Sequence, residues 1–331
     1  MKALLLKGAP HLNSERTTAY IMWHVCWALL PAALWGIWSF GLSALSVLVV
    51  CVGAACLADF GFTSRFHRLG SLSDGSAVIT GLLLGMTLPP SVPLWMAALG
   101  SLVAIGLGKH AFGGLGQNLF NPALVGRAFL QAAFPAAMTR WTPPFLSDRF
   151  QSFLAGSWTI PFARPQLDAI SGATPLGLLK FDHMSSHISD LFLGQTAGCI
   201  GETASVLVLT GGAYLALRRM LDWRIPIAVM GSVFVISGVA NQLNANYPDG
   251  LFMLGSGGLM VGAWFMATDM VTSPVTTGAI WLFGVLIGFL ICAIRFWGGL
   301  PEGVMYAILI ANATVPLLER FTQPKAFGGQ P

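Results

Sequence analysis

The sequence predicts an all-α integral membrane protein of ten transmembrane helices, arranged as two inverted five-helix repeats with broken third helices. Three observations carry that prediction. Of the 331 residues, 55% are hydrophobic and only 9% charged, against about 25% charged in ordinary soluble domains. A spanning helix needs about 20 mostly apolar residues, and stretches of that kind lie near 19–38, 41–60, 75–90, 93–109, 120–137, 196–217, 225–241, 251–268, 276–296 and 302–318. Motifs also recur at a fixed offset of 185: Gly70-Ser71 with Gly255-Ser256, Thr87 with Thr272, Pro89 with Pro274, and Gly113-Gly114-Leu115 with Gly298-Gly299-Leu300. Five helices is an odd number, so the second unit must cross the membrane in the opposite sense to the first.

Taken in order, residues 1–18 form a polar arm with Lys2, Lys7 and Arg16, and the apolar segment behind it has no clean small-residue cleavage site, which argues against a cleaved signal peptide. Residues 19–137 are the first repeat. Its third helix is interrupted by Gly81, Gly85, Thr87, Pro89 and Pro90, as the matching helix of the second repeat is by Gly257, Gly258, Thr272 and Pro274; non-helical backbone survives at membrane depth only where protein or a polar cavity covers it. Residues 138–195 form the one long polar connection, 196–318 the second repeat and 319–331 a tail. Arg65, Arg68, Arg218, Arg219, Arg224, Arg320 and Lys325 fall on the same side as the basic arm. The positive-inside rule makes that side cytoplasmic, with both termini, and places 138–195 on the outer side of the membrane.

The net charge of +4 is better read as topology than as nucleic-acid affinity, and no basic-aromatic patch argues otherwise. The five cysteines lie in apolar stretches without metal-ligand spacing, so no iron–sulfur cluster and no metal site is expected. No G-x-G-x-x-G follows a strand, so the chain neither binds NAD nor oxidises ferredoxin by itself. His183 and His187 stand four apart but have no third ligand, and a solvated loop pair is the reading kept. Asp59, Asp74, Arg127, Glu202, Asp249, Arg295 and Glu302 lie in or near apolar segments, where capping and snorkelling are the common explanations. Asp74 and Asp249, each opening a broken-helix region, are the better candidates for an ion path, although an Asp before a helix is also an ordinary N-cap.

Within the polar connection stands Leu167-Asp168-Ala169-Ile170-Ser171-Gly172-Ala173-Thr174-Pro175-Leu176. By residue chemistry alone Ser-Gly-Ala-Thr-Pro is a turn, in which Pro175 stops regular structure and exposes the Thr174 hydroxyl. The spacing D-x-x-S-G-A-T also looks like the acceptor sequence that a periplasmic flavin transferase modifies by joining the phosphate of FMN to the Thr hydroxyl. With the runs Gly108-Lys109-His110-Ala111-Phe112-Gly113-Gly114, Asn118-Leu119-Phe120-Asn121-Pro122-Ala123 and Ala267-Thr268-Asp269, the chain resembles the NqrB/RnfD family over nearly its whole length. These are membrane flavoproteins of the Na+-translocating NADH:quinone reductase and of the Rnf complex, which exchanges electrons between ferredoxin and NAD. The short N-terminal arm favours the RnfD branch; the quinone-reductase subunit is the alternative.

The resemblance implies that Thr174 carries FMN through a phosphoester, with Asp168, Ser171, Gly172 and Ala173 as its recognition residues. It implies a riboflavin held near an Asn-x-x-Asn pair and an opposing Asp, here Asn118, Asn121 and Asp269; the two amides are equally suited to satisfying broken backbone around Gly113–Gly116. It implies partners: a second flavin-carrying subunit, iron–sulfur subunits and, during maturation, the flavin transferase. The chain would then be a relay, incomplete as a catalyst alone, whose redox steps are coupled to Na+ or H+ movement. A small-solute channel or transporter also fits an inverted repeat with broken helices, but has no use for the Thr174 motif.

Overall fold

A computed structural model describes residues 17–63, 73–154, 156–161, 172–182, 184, 186–202, 205–244 and 246–323. Asp168, Ser171, His183, the basic arm before residue 17 and the tail beyond 323 lie outside the described residues, as do Arg65, Arg68 and Gly70-Ser71 of the repeat.

Apart from one isolated antiparallel bridge between Trp141 and Gly172, the described residues form helices and turns without a strand. Six helical segments are long and apolar enough to cross a membrane: Thr18–Phe40 (α1), Leu42–Phe62 (α2), Leu94–Phe112 (α4 with a closing 3-10 turn), Arg224–Leu243 (α10), Thr277–Trp297 (α13) and Val304–Thr322 (α14). Two shorter apolar helices are Ser76–Met86 (α3) and Ser205–Leu217 (α9). The amphipathic Pro122–Ala133 (α5) is followed by the short Pro135–Met138 (α6), the connection holds Pro175–Asp182 (α7) and Ile188–Leu193 (α8), and Gly250–Gly255 (α11) is separated from Leu259–Val261 (α12), which runs into a π-helical turn at Gly262–Met266. Every expected apolar stretch therefore contains helix, but those at 75–90, 120–137, 196–217 and 251–268 are shortened or divided where Pro or Gly interrupts them.

The core lacks a polar face to set helix rotation, so close backbone approach does that work. A methyl added at Gly126 would meet Gly100 O at 2.6 Å, and one at Gly284 would meet Ala228 Cβ at 2.4 Å; such small-residue contacts are how apolar helices pack tightly in lipid. Through them α4 lies on α5 and α10 on α13, while α1 packs against α9 and α5 against α14.

α1, roughly 34 Å long at 1.5 Å per residue, joins two ends of the bundle. At one, Trp23 Nε1 donates to Ser73 O at 3.1 Å. At the other, Gly41 turns the chain into α2 with φ +72°, a conformation suited to glycine, and Leu42 N donates to Arg149 O at 2.9 Å. Phe145 N donates to Ser39 O at 2.8 Å there, so the connection after α6 is laid across this second end.

Candidate functional site

Thr174 sits at that second end, and its local structure differs from the sequence expectation. Pro175 does not stop regular structure; it begins α7. Its ring presets helical φ and its missing N–H is one that a first-turn residue cannot use anyway. Thr174 is the N-cap: its Oγ1 accepts from Gly177 N at 3.1 Å, and its carbonyl accepts from Leu178 N at 2.8 Å. Ala173 is exposed and Thr174 half-buried, while Pro175 and Leu176 are buried and anchor the helix. Upstream, Gly172 N donates to Trp141 O at 2.9 Å. Downstream, Lys180 Nζ reaches the end of α13, donating to Arg295 O and Leu300 O at 3.0 Å, to Ile294 O at 3.5 Å and to Gly298 O. A cation thus caps carbonyls that the helix end leaves free. Partial burial at this contact pulls the Lys180 ammonium below the ordinary lysine range.

Beneath Thr174 lies a small cavity lined by Trp141, Thr174, Gly198, Glu202, Gly257 and Glu302. Its floor is the gap between α11 and α12. Arg295 donates from Nη1 to Met253 O at 2.8 Å and from Nη2 to Ser256 O at 2.9 Å, which satisfies the C-terminal side of the gap. Glu302 Oε2 accepts from Gly258 N at 3.2 Å on the N-terminal side, and Glu302 Oε1 pairs with Arg295 Nη2 at 3.3 Å. A cation at one half-helix C-terminus and an anion at the next N-terminus match both dipoles. Beside this pair, Glu202 Oε2 accepts from Cys199 N at 3.2 Å, and Glu202 Oε1 stands 4.0 Å from Arg127 Nη2. Capping is indeed what Glu302 and Arg295 do, but snorkelling is not: Arg127 and Arg295 are buried in ion pairs.

Near the opposite end a second cavity is lined by Lys109, Asn118, Asn121, Trp264, Phe265 and Asp269 among others. The structure therefore brings together the two amides and the carboxylate that are far apart in sequence. Asn121 caps α5, its Oδ1 accepting from Ala123 N at 3.0 Å, and its Nδ2 crosses to Met266 O at 3.3 Å in the π turn. Asn118 Nδ2 donates to Phe120 O at 3.3 Å, a local turn contact. Asp269 accepts from Thr272 Oγ1 at 3.2 Å. Both amides thus satisfy backbone, although not around Gly113–Gly116. Trp264 Nε1 is buried without a hydrogen-bond partner at this cavity. Lys109 is fixed by Asp59 Oδ1 and Ser76 Oγ, each at 2.8 Å, and His110 Nε2 meets the same Asp59 oxygen at 2.7 Å. Asp74 acts as a turn cap for Ser76 N at 2.8 Å, and Asp249 stands at the start of α11 with no side-chain cap bond. No group of three or more metal-ligating side chains occurs among the described residues.

Residues 5–328 match the model of the NQR2, RnfD, RnfE family. The chain belongs to this family. Among similar members of the NQR2, RnfD, RnfE family is a protein of Clostridium ljungdahlii named as the D component of a proton-translocating ferredoxin:NAD(+) oxidoreductase complex, 40% identical over 98% of this chain and 96% of that one. The D component of an ion-translocating oxidoreductase complex from Stutzerimonas stutzeri is 42% identical over 93% and 91% of the two chains. The D component of a Na(+)-translocating ferredoxin:NAD(+) oxidoreductase complex from Acetobacterium woodii is 37% identical over 98% and 95%. For this member of the NQR2, RnfD, RnfE family, sequence alone singles out Thr174, Asn118, Asn121 and Asp269, but not Trp264 or the ion pairs Asp59–Lys109, Arg127–Glu202 and Arg295–Glu302. The partners in those pairs are brought together by packing; the available signal is an ionisable residue in each apolar stretch, which is a functional or structural site by default.

Proposed function

We propose that this protein is the RnfD-type membrane subunit of an ion-translocating ferredoxin:NAD oxidoreductase complex, carrying FMN as a phosphoester on Thr174. The observation that carries the reading is Thr174 at the N-terminus of α7, beside a polar cavity. The donors fit the group: a phosphate on Oγ1 would lie at the positive end of that helix, where Gly177 N already points at Oγ1 from 3.1 Å, and Trp141 offers an aromatic wall. A flavin there supplies one- and two-electron chemistry. The chain's own residues supply position: Gly172 pins the motif to Trp141, Lys180 pins α7 to α13, and Arg295 with Glu302 keeps the cavity floor open. Relatives' names include both proton- and Na+-translocating ferredoxin:NAD(+) oxidoreductase complexes, which supports a role in ion-coupled electron transfer; iron–sulfur and further flavin subunits are the partners that role calls for.

The same reading gives ten membrane crossings in two inverted units, 19–137 and 196–318, with α3 and α11–α12 as the broken helices, and an inner-membrane location. Its support is that a helix stops before the recurring Thr in each unit: α3 ends at Met86, next to Thr87, and the π turn after α12 ends at Met266, six residues before Thr272. Met220 and Leu221, beside the Arg218, Arg219 and Arg224 cluster, line the cavity at the Asp59 end. That end is then cytoplasmic and Thr174 periplasmic. A riboflavin in the second cavity, against Asn118, Asn121 and Asp269, completes the reading; Trp264 Nε1 is an unused donor for a flavin carbonyl.

The test is a denaturing gel of protein from cells with an active flavin transferase. A fluorescent band is expected, absent in Thr174→Ala protein that still inserts. Wild-type protein of unmodified mass would sink the proposal and return the transporter reading.

A further inference from the structure

We infer that Glu202 is the proton-binding carboxylate that compensates charge arriving at the Thr174 cavity, an assignment that rests on Thr174 carrying a flavin. The two carboxylates of that cavity are not equivalent. Glu302 uses both oxygens, Oε1 toward Arg295 and Oε2 toward Gly258 N. Glu202 uses one: Oε2 accepts from Cys199 N, while Oε1 is buried and receives no hydrogen bond. Its closest cation, Arg127 Nη2, stands 4.0 Å away and directs a contact of 3.7 Å to Cys199 Sγ instead. The Glu202 backbone has little room to move, because Gly201 N donates to Met86 O at 2.7 Å and Ile200 N to Leu88 O at 3.2 Å, tying the segment to the end of α3.

The charged and titratable groups facing Glu202 are Arg127 from α5, Cys199 on its own segment, and Glu302 and Arg295 across the Gly257–Gly258 gap. With both carboxylates ionised the two arginines balance them, and the set is neutral. An added negative charge beside these buried groups then has no counter-ion among them, and the interaction is strong where the dielectric is low. Protonating Glu302 would weaken bonds to Arg295 and Gly258 that hold the gap between α11 and α12. Protonating Glu202 at Oε1 gives up no hydrogen bond and creates a donor aimed at the cavity. The step balances simply. One electron would pass to the Thr174-linked flavin from the complex's iron–sulfur reductant, and one proton from solvent hydronium to Glu202 Oε1, forming that O–H bond, breaking one in hydronium and leaving water, so the added charges cancel.

The experiment is redox-difference infrared spectroscopy and a pH series of flavin midpoint potentials on the intact complex, with flavin on the subunit first verified by gel fluorescence. Reduction is expected to produce a protonated-carboxyl band that is lost in Glu202→Gln, shifted in Glu202→Asp and absent in Thr174→Ala. The pH dependence of the Thr174 flavin potential is expected to flatten in Glu202→Gln but not in Asp182→Asn. A fluorescent wild type that shows no such band on reduction overturns the assignment however the variants fold, and so does an unshifted band in Glu202→Asp. A dark gel instead overturns the flavin reading and this assignment with it.

Discussion

The two cavities of this protein solve the burial of charge in opposite ways. At the Asp59 end a single carboxylate is shared by Lys109 and His110, with Ser76 as a further partner of the lysine, so those charges are knotted at the cavity wall, and the space itself is lined mostly by aliphatic and aromatic side chains, two amides, the lysine edge and one carboxylate, Asp269, that Thr272 Oγ1 and Val271 N already bind. At the Thr174 end the carboxylates of Glu202 and Glu302 face the cavity directly, and their arginines lie behind them. The first arrangement suits a neutral group held by hydrogen bonds and stacking. The second suits a site where charge changes and must be offset locally.

The sharpest way to break the contrast is to remove one partner from each knot. Arg295→Met leaves Glu302 buried beside an uncapped half-helix, and loss of one member of a buried pair costs about 3–5 kcal/mol. Thermal unfolding in detergent is expected to fall steeply, with partial recovery in the double variant Arg295→Met with Glu302→Leu, where no orphan charge remains. Asp59→Ala is expected to be comparably damaging, because Lys109 is buried and its ammonium would keep only Ser76. If either variant melts like the wild type, the ion pairs are not what holds that end together.

A smaller and more selective effect is expected from Asn121→Leu. It removes an N-cap and the bond to Met266 O, and a hydrogen bond of this kind contributes about 0.5–1.5 kcal/mol. The non-covalent flavin proposed for the Asn121 cavity is expected to drop by roughly tenfold at most after purification, since about 1.4 kcal/mol is a factor of ten, while the fluorescence proposed for Thr174 in the denaturing gel stays unchanged. Equal loss of both signals would mean that the two cavities are not independent.

How much of this is legible in the sequence follows the same division. The Thr174 motif is contiguous, so its position needs no packing information, and the apolar stretches locate all the described spanning helices to within the breaks that Pro and Gly impose. Pro175 departs from the turn expected of it, although the signal for a helix start is present: Thr followed by Pro is a cap and a first-turn residue as well as a turn. Asn118, Asn121 and Asp269 are linked in sequence only through resemblance, and the structure does seat them around one cavity. The ion pairs are not legible, because Arg127 meets Glu202 and Lys109 meets Asp59 across separations of 75 and 50 residues, whereas helical periodicity reports which face of a helix is apolar and not which distant residue that face meets.

The smallest effect is expected from Lys180→Met, and it distinguishes positioning from stability. The lysine sits outside the spanning segments and its ammonium meets four carbonyls at the end of α13, an interaction of the helix-dipole kind that contributes about 0.3–1 kcal/mol when partly exposed. Methionine keeps the alkyl stem and loses the charge, so the melting of the protein is expected to change little. The helix that begins at Thr174 loses its tie to the second half, however, and the flavin proposed on that threonine is expected to rotate more freely. Flavin fluorescence anisotropy of the oxidised protein is the measurement: a decrease in Lys180→Met at unchanged melting temperature assigns the lysine to holding the cofactor arm. Unchanged anisotropy would instead leave Pro175 and Leu176, buried at the start of α7, as the anchors of the motif.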